Sequence, residues 1–317
     1  MDLVNHLTDR LLFAVPKKGR LNERAIQLLN GADIQFKRSH RLDIALSTNM
    51  PVALVFLPAA DIPRFVAEGK CALGITGYDQ VCESGMDCDM LLDLSFGKCK
   101  LQVQVPEDGP FSEPKQLIGK SIVTSFTKLT TEFFAKLEAE QAAAAAEGSK
   151  TSDANDNRIS TSNLKTTIKY VGGSVEAAVA LGVADAIVDL VESGETMRAA
   201  GLKPIGTLLN TSAWLLQSKH ASQEDLERVK IIRSRIEGVL AASRYVLCNY
   251  NAPRNNLPAL LKITPGRRAP TITQLEEDNW VAVSSMVLQT DIAQVMDKLE
   301  ANGAEDILVF NISNCRV

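Results

Sequence analysis

ADAIVDLVESGETMRAAGL, residues 184–202, sets the reading of this chain. An apolar run, Ala186-Ile187-Val188, leads to Asp189 and two more apolar residues. A polar turn follows, Glu192-Ser193-Gly194-Glu195-Thr196, then the helix-like Met197-Arg198-Ala199-Ala200, stopped by Gly201. The order is buried strand, tight loop, helix start. A helix N-terminus presents backbone N–H groups and the positive end of the helix dipole, which suits a phosphate. Ser193 and Thr196 add hydroxyl donors, and Gly194 lets the backbone approach a ligand closely. Asp189 is suited to hold sugar hydroxyls or a metal. Phosphate and ribose chemistry this close together suggests a phosphoribosyl site. A strand-end loop that binds nothing is the rival reading.

Neighbouring segments strengthen or weaken that choice. In Gly172-Gly173-Ser174-Val175-Glu176-Ala177, Ser174 is expected to cap a helix and Glu176 to sit in its first turn. In α/β folds such positions gather with strand ends at one sheet edge, where ligands bind. Glu176 and Asp189 there could accept bonds from a ribose hydroxyl pair or share a Mg²⁺. Alternatively, Glu176 only complements the helix dipole. Pro16-Lys17-Lys18-Gly19-Arg20 offers cations to a polyphosphate, or is a solvated basic turn. In Gly74-Ile75-Thr76-Gly77-Tyr78-Asp79, Asp79 is an N-cap or lines a cleft, and Tyr78 could stack on a base. The hydroxyls of residues 123–130, VTSFTKLT, are phosphate ligands or turn and cap residues.

Around these motifs the chain alternates strand and helix. Strands are expected at residues 11–15, 52–57, 72–75 and 101–105, and helices at 21–29 and from Asp61-Ile62-Pro63 to Ala67. That alternation predicts an α/β fold with mostly parallel sheets. Residues 137–163, LEAEQAAAAAEGSKTSDANDNRISTSN, read as a helix end followed by a mobile surface loop. Ser222 is expected to cap a long helix with Leu226, Val229, Ile232, Ile236 and Leu240 on one face. Beyond it the order is βαββαβ, a ferredoxin-like arrangement, with Thr290 capping the second helix and Gly303 ending it.

The 317 residues suffice for two or three domains, and 45% hydrophobic with 23% charged residues is ordinary for a soluble protein. A net charge of −4 leaves no broad footprint for nucleic acid. No apolar run is long enough to span a bilayer. The N-terminus MDLVNHLTDR lacks a signal-peptide core, so a cytoplasmic protein is expected. Cys71, Cys82, Cys88, Cys99, Cys248 and Cys315 form no CxxC pair and read as reduced thiols. His6, His40 and His220 have no metal-ligand spacing.

Together these segments resemble the ATP phosphoribosyltransferase family. The resemblance runs from PKKGRL (16–21) through RLDIALS (41–47), LGITGYD (73–79), FGKCKLQV (96–103), GGSVEAA (172–178), ADAIVDLVESGET and TPGRRAPTI (264–272) to ISNCRV (312–317). It looks like the long, fungal form, with 137–163 as a lineage-specific insertion. The resemblance implies a two-lobed body like a type II periplasmic binding protein, followed by a ferredoxin-like domain that binds histidine as feedback inhibitor. Lobe I is expected over 1–105 and 205–221, lobe II over 106–204, and the regulatory domain over 222–317. It also implies a hexamer, 5-phosphoribosyl 1-diphosphate as donor, ATP as acceptor and Mg²⁺ as cofactor. The products are N1-(5-phosphoribosyl)-ATP and pyrophosphate. By residue, the resemblance implies that Ser193, Gly194, Glu195 and Thr196 cradle the donor 5′-phosphate. Glu176 and Asp189 hold its ribose hydroxyls. Lys17 and Arg20 face phosphates, and Asp79 lines the ATP side of the cleft. The inhibitor pocket maps to Asn251 and Thr271. Related enzymes can carry Asp where this chain has Asn251, so an acceptor carbonyl remains there and the charge is lost.

Such a reaction needs no strong general base, because adenine N1 is uncharged and pyrophosphate leaves readily once cations screen it. Carboxylates near the anomeric carbon stabilise a ribosyl-cation-like transition state. Glu192 and Glu195 beside a phosphate are expected to point away from it or to reach it through metal or water. The competing class is a two-lobed protein that binds a small molecule unchanged, which would need neither a phosphate loop nor a carboxylate pair. A degenerate paralogue kept only for assembly fits poorly with intact motifs.

Overall fold

The computed structural model describes residues 7–38, 42–147 and 164–316. Among these the chain divides into two compact units. One draws on Met1–Glu23, His40–Ile44 and Val52–Ala221, the other on Arg24–Ser39, Ala45–Pro51 and Ser222–Val317.

The first unit opens with β1 (Leu11–Pro16), α1 (Arg20–Gly31), β2 (Ile44–Leu46), β3 (Val52–Leu57), α2 (Ile62–Ala67), β4 (Leu73–Gly77), α3 (Tyr78–Ser84) and β5 (Asp89–Asp93). The division between units falls inside α1 and β2. Next come β6 (Cys99–Pro106), β7 (Ser121–Thr124), α4 (Thr127–Glu147), β8 (Thr167–Tyr170), α5 (Glu176–Ala180), β9 (Ala186–Val191), α6 (Glu195–Ala199), β10 (Leu202–Thr211) and β11 (Ala213–Gln217).

Two sheets result, ordered β2-β3-β1-β4-β11-β5 and β10-β6-β9-β7-β8. Each repeats one pattern. Three parallel strands (β3-β1-β4, β8-β7-β9) are followed by two antiparallel ones (β11-β5, β6-β10). This doubled topology, with strands exchanged between halves, is the expected two-lobed, type II periplasmic-binding-protein-like body. By sheet membership the chain crosses between lobes at residues 94–98 and at Ser212. The sequence pattern alone places those crossings at 105/106 and 204/205. Pairing decides the matter: β6 lies against β9 and β10, with Gln102 opposite Asp189 and Leu101 opposite Leu209.

Burial explains the apolar runs. In β9, Ala186 and Val188 pack with Leu101, Ile122 and Phe134 on one face, and Ile187 packs with Val175 and Ala178 on the other. A strand covered on both faces must be apolar at every position. Each fully buried Val, Leu or Ile side chain contributes about 1.5–3 kcal/mol. The helix α2 starts with Pro63 in its first turn, where no N–H is needed. It lies directly on Gly74 of β4, where an added Cβ would meet the Ile62 and Val66 Cγ2 atoms at 2.7 Å.

Helix α4 confirms the helical part of residues 137–163, running to Glu147; the loop expected after it lies outside the described residues. In the next described segment, the Glu138 carboxylate accepts bonds from Lys165 N (2.9 Å), Thr166 N (2.9 Å) and Thr166 Oγ1 (2.7 Å). Partial burial works against its charge, but these bonds and the nearby Lys165 charge hold the Glu138 carboxyl below the usual range. The N-terminus of α4 is closed by another carboxylate. Glu83 of α3 accepts from Lys128 N (2.9 Å), Leu129 N (3.0 Å) and Thr127 Oγ1 (3.4 Å).

The second unit contains α7 (Gln223–Ala242), β12 (Tyr245–Pro253), α8 (Leu257–Ile263), β13 (Thr271–Gln274), β14 (Trp280–Leu288), α9 (Ile292–Ala301) and β15 (Glu305–Asn311). Ser222 Oγ accepts from Asp225 N at 3.1 Å, capping α7 as expected, and Val229, Ile232 and Ile236 are its buried stripe. The sheet is fully antiparallel in the order β13-β14-β12-β15, the ferredoxin-like arrangement. Alternate β12 and β14 residues, among them Val246, Cys248, Tyr250, Val281 and Val283, form its core with Leu260 of α8 and Leu299 of α9. Gly303, at φ +80°, follows α9. Thr290 does not cap that helix; its hydroxyl donates to Asp291 Oδ1 instead. The compact unit is larger than residues 222–317. Arg235 donates to Asp33 O (3.1 Å) and Asn314 to Gly31 O (3.2 Å), which ties residues 24–39 into it.

Candidate active site

Strand alternation gives Asp189 the same face as Ile187, the face covered by α5. Glu176 lies in the first turn of that helix. Both carboxylates therefore reach one cavity of about 340 Å³, whose wall also includes Arg20, Cys99, Gln104, Glu192 and residues 193–196. Ser193, Gly194, Glu195 and Thr196 thus meet Glu176 and Asp189, as the sequence reading requires.

Asp189 Oδ1 accepts from Leu190 N at 2.8 Å. Burial pushes its carboxyl above the usual carboxylate range; the Leu190 bond pulls the other way, and the Glu176 charge adds to the rise. Such an aspartate gains most from a ligand that brings donors or positive charge.

The loop itself differs from a helix-dipole site. Helix α6 spans only Glu195–Ala199, a single turn, so few peptide dipoles add along it. What remains is local geometry. The first intrahelical bond runs from Arg198 N to Gly194 O at 3.0 Å, so the N–H groups of Thr196 and Met197 lie ahead of it. Gly194 has φ +77°, the left-handed region that only glycine enters freely. Ser174 has φ +49° and makes no side-chain cap; its backbone carbonyl accepts from Ala177 N instead.

The structure answers the question of Glu192. Its Oε2 lies 2.5 Å from Arg20 Nη1, and both side chains line the cavity. Arg20 is thus the cation that pairs with Glu192.

Two expected residues are elsewhere. Lys17 pairs with Asp43 at 2.7 Å and is not in the cavity wall. Asp79 is only 4% exposed and is not in the wall of this cavity. Its Oδ1 accepts from Thr211 Oγ1 (2.7 Å) and its Oδ2 from Gln80 Nε2 (2.6 Å), while its own N–H donates to Thr211 Oγ1 (3.0 Å). It is a buried tie between α3 and β10, with burial raising its carboxyl against those bonds. It does not cap α3 either, because the N-cap is Gly77. Tyr78 packs tilted on Trp214, centroids 6.4 Å apart. In the 123–130 segment, Thr124 Oγ1 donates to Val188 O at 2.7 Å, and Glu83 already occupies the α4 N-terminus. The Thr124 and Thr127 hydroxyls are thus turn and cap groups, while the buried Thr130 Oγ1 has no hydrogen-bond partner among the described residues.

Sequence reasoning missed the contribution of β6. Cys99 and Gln104 line the cavity, and Gln104 Nε2 donates to Asp189 O at 3.4 Å. A second cavity of about 640 Å³ shares Cys99, Val191, Glu192, Ser193, Gly194 and Met197 with the first and adds Lys98, Lys100 and Arg198. Burial, with the Asp79, Glu192 and Asp189 charges adding, pushes the Cys99 thiol up to about 12, so it is an inert wall. Among the described residues no group of three or more His, Cys, Asp or Glu side chains could hold a metal by itself. No helix among them is long and apolar enough to cross a membrane.

Comparison with known proteins gives the same picture over the whole chain. The family profile described as "HisG: ATP phosphoribosyltransferase" matches residues 58–238, and "HisG, C-terminal domain" matches 242–314. The ATP phosphoribosyltransferase of Yarrowia lipolytica is 66% identical over 317 residues, covering all of both chains. That of Saccharomyces cerevisiae is 60% identical, again over the full length of both. Among solved structures, the ATP phosphoribosyl transferase (HisG:HisZ) complex from Thermotoga maritima aligns with TM-score 0.56 at 19% identity, covering 72% of this chain and 96% of that one. Family profiles over most of the chain and full-length relatives at 60–66% identity place the chain in the ATP phosphoribosyltransferase family.

Proposed function

We propose that the smaller cavity holds 5-phosphoribosyl 1-diphosphate and that the larger one admits ATP across their shared wall. The chain is a pentosyltransferase of histidine biosynthesis: ATP and the donor give N1-(5-phosphoribosyl)-ATP and pyrophosphate. One observation carries the placement: Glu176, Asp189 and residues 193–196 converge on one cavity. The 193–196 loop takes the 5′-phosphate through backbone N–H groups and the Ser193 and Thr196 hydroxyls. Glu176 and Asp189 accept from the ribose hydroxyls. Arg20, once off Glu192, meets the diphosphate. Lys98, Lys100 and Arg198 give the larger cavity the positive charge a triphosphate needs.

In the reaction, adenine N1 attacks the anomeric carbon as the bond to pyrophosphate breaks. Asp189 and Glu176 stabilise the positive charge that develops on the ribose. The residues otherwise act by positioning. The donor set also fits Mg²⁺, which binds through one or two carboxylates together with substrate phosphates. Glu176 and Asp189 would hold it, and it would supply charge screening of the departing pyrophosphate.

The second unit is read as the regulatory module, with histidine binding near Asn251 and Thr271. Hexamer formation and a cytoplasmic location complete the proposal. To test the catalytic part, the protein is mixed with ATP, the donor and Mg²⁺, and both pyrophosphate and the ATP adduct are measured. Donor binding without turnover would leave only a binding protein.

A further inference from the structure

We propose that the Gln104 side chain is a further ligand of the donor's ribose, giving an amide N–H to the hydroxyl oxygen whose proton Asp189 accepts. This role rests on the donor placement above and adds a neutral hydrogen-bond donor to the carboxylate pair.

Strand β6 carries two glutamines on one face. Gln102 stands opposite Asp189 and Gln104 opposite Ile187, so both share the face that bears Asp189. Their amides end differently. Gln102 Nε2 donates to Thr207 Oγ1 at 2.9 Å, which draws it toward β10. Gln104 stays in the wall of the smaller cavity with Glu176, Ile187 and Asp189. It is only 3% exposed. Its Nε2 donates to the Asp189 backbone carbonyl at 3.4 Å, longer than an ordinary N–H···O bond. A carbonyl oxygen only accepts, so this contact turns the nitrogen end of the amide toward Asp189.

A primary amide has two N–H donors and two acceptor lone pairs. Among the described residues, the second N–H and Oε1 of Gln104 have no partner. Buried polar groups are normally bonded, and one left unmade costs stability. An apolar side chain of the same length would pack here at less cost. What the free protein leaves unmade, a ligand in the cavity can complete.

The site's chemistry says what that ligand brings. Ionised Glu176 and Asp189 only accept, so each takes a hydroxyl proton from the ribose. The hydroxyl oxygens then keep lone pairs that need a donor. Arg20 is engaged with Glu192, and Ser193 and Thr196 belong to the phosphate loop. The Gln104 N–H completes a chain from amide to hydroxyl to carboxylate. Being neutral, it does not oppose the positive charge that develops on the ribose.

The test uses the full chain. Gln104→Met keeps the length of the side chain and removes the amide. The donor KM should rise about fivefold, the scale of one neutral hydrogen bond, with kcat falling less than about twofold and the KM for ATP unchanged. As a competitor of the donor, ribose 5-phosphate should weaken by the same factor, while pyrophosphate, which has no sugar, should not. Thermal melts should show Gln104→Met at least as stable as wild type, because a barely bonded buried amide has gone. Gln104→Glu keeps an acceptor oxygen but has no N–H, so at pH 8, roughly four units above an ordinary glutamate, it should raise the donor KM at least as much. An unchanged donor KM in either variant overturns the inference. So does equal weakening of ribose 5-phosphate and pyrophosphate, or a loss of thermal stability in Gln104→Met. These outcomes leave the donor placement standing, whereas a wild type that neither turns over nor binds ribose 5-phosphate overturns both.

Discussion

Glu192→Gln should make the donor bind more tightly. In the structure Arg20 is held by Glu192 at 2.5 Å, and their side chains are 78% and 52% exposed. A solvent-exposed ion pair contributes about 0.2–1 kcal/mol. A donor phosphate that recruits Arg20 must first break this pair. Glutamine keeps one hydrogen-bond acceptor and loses the charge, so at most about 1 kcal/mol of that cost is removed. The donor KM should fall by up to about fivefold, with kcat within about twofold. Steady-state rates at saturating ATP with varied donor would measure this. The difference should shrink at high ionic strength, where exposed pairs are screened. Arg20→Met provides the opposite arm, with a raised donor KM. A donor KM raised about tenfold by Glu192→Gln would refute the reasoning, since Glu192 would then be a ligand rather than a competitor.

Other outcomes follow from the same geometry. Asp189→Asn should lower kcat by about 10²-fold or more, the scale of one lost preorganised electrostatic contact. Because the Asp189 carboxyl is raised, wild-type kcat/KM should fall toward acid at a higher pH than an ordinary aspartate would give. A raised carboxyl contributes stability below its unfolded pKa and loses it as pH rises through the folded value. Neutral Asn escapes that loss, so thermal melts at pH 7 should show Asp189→Asn no less stable than wild type. Gly194→Ala forces an L-residue into φ +77° and brings a Cβ to 2.7 Å from Arg198 Nη1. It should cost about 1–2 kcal/mol and raise the donor KM, measured by melts and kinetics; an unchanged KM would remove the loop from the site. Glu138→Ala loses three donors at a half-buried carboxylate and should cost about 1–2 kcal/mol in urea melts near neutral pH. Since Glu138 is lowered, that difference should be full above the ordinary carboxylate pKa and vanish as pH falls through its depressed value.

Much of the fold lay open in local pattern. The apolar runs of β1, β3 and β9, the Ser222 cap and the alternation in β12 and β14 are properties of neighbouring residues. So is the αL-prone Gly194 beside Ser193 and Thr196. What the sequence concealed depends on partners far along the chain. Asp79 has a cap-like position, yet its fate is set by Thr211, 132 residues away. The partner of Glu192 is 172 residues away at Arg20. The lobe assignment of β6 needed its pairing with β9, as did the place of Gln104 in the cavity. Ser174 reads as a cap because serine usually is one, and only its left-handed backbone removes it from that role.

Glu83 has a consequence for where phosphate can bind. The second lobe has three loops at the same edge of its sheet, after β7, β8 and β9, and each leads to a helix. With Glu83 seated on the first, the β7 loop repels phosphate. An internal carboxylate from α3 thereby takes one of the three loops out of competition for the donor's phosphates, which agrees with the proposed binding of the monophosphate at the β9 loop.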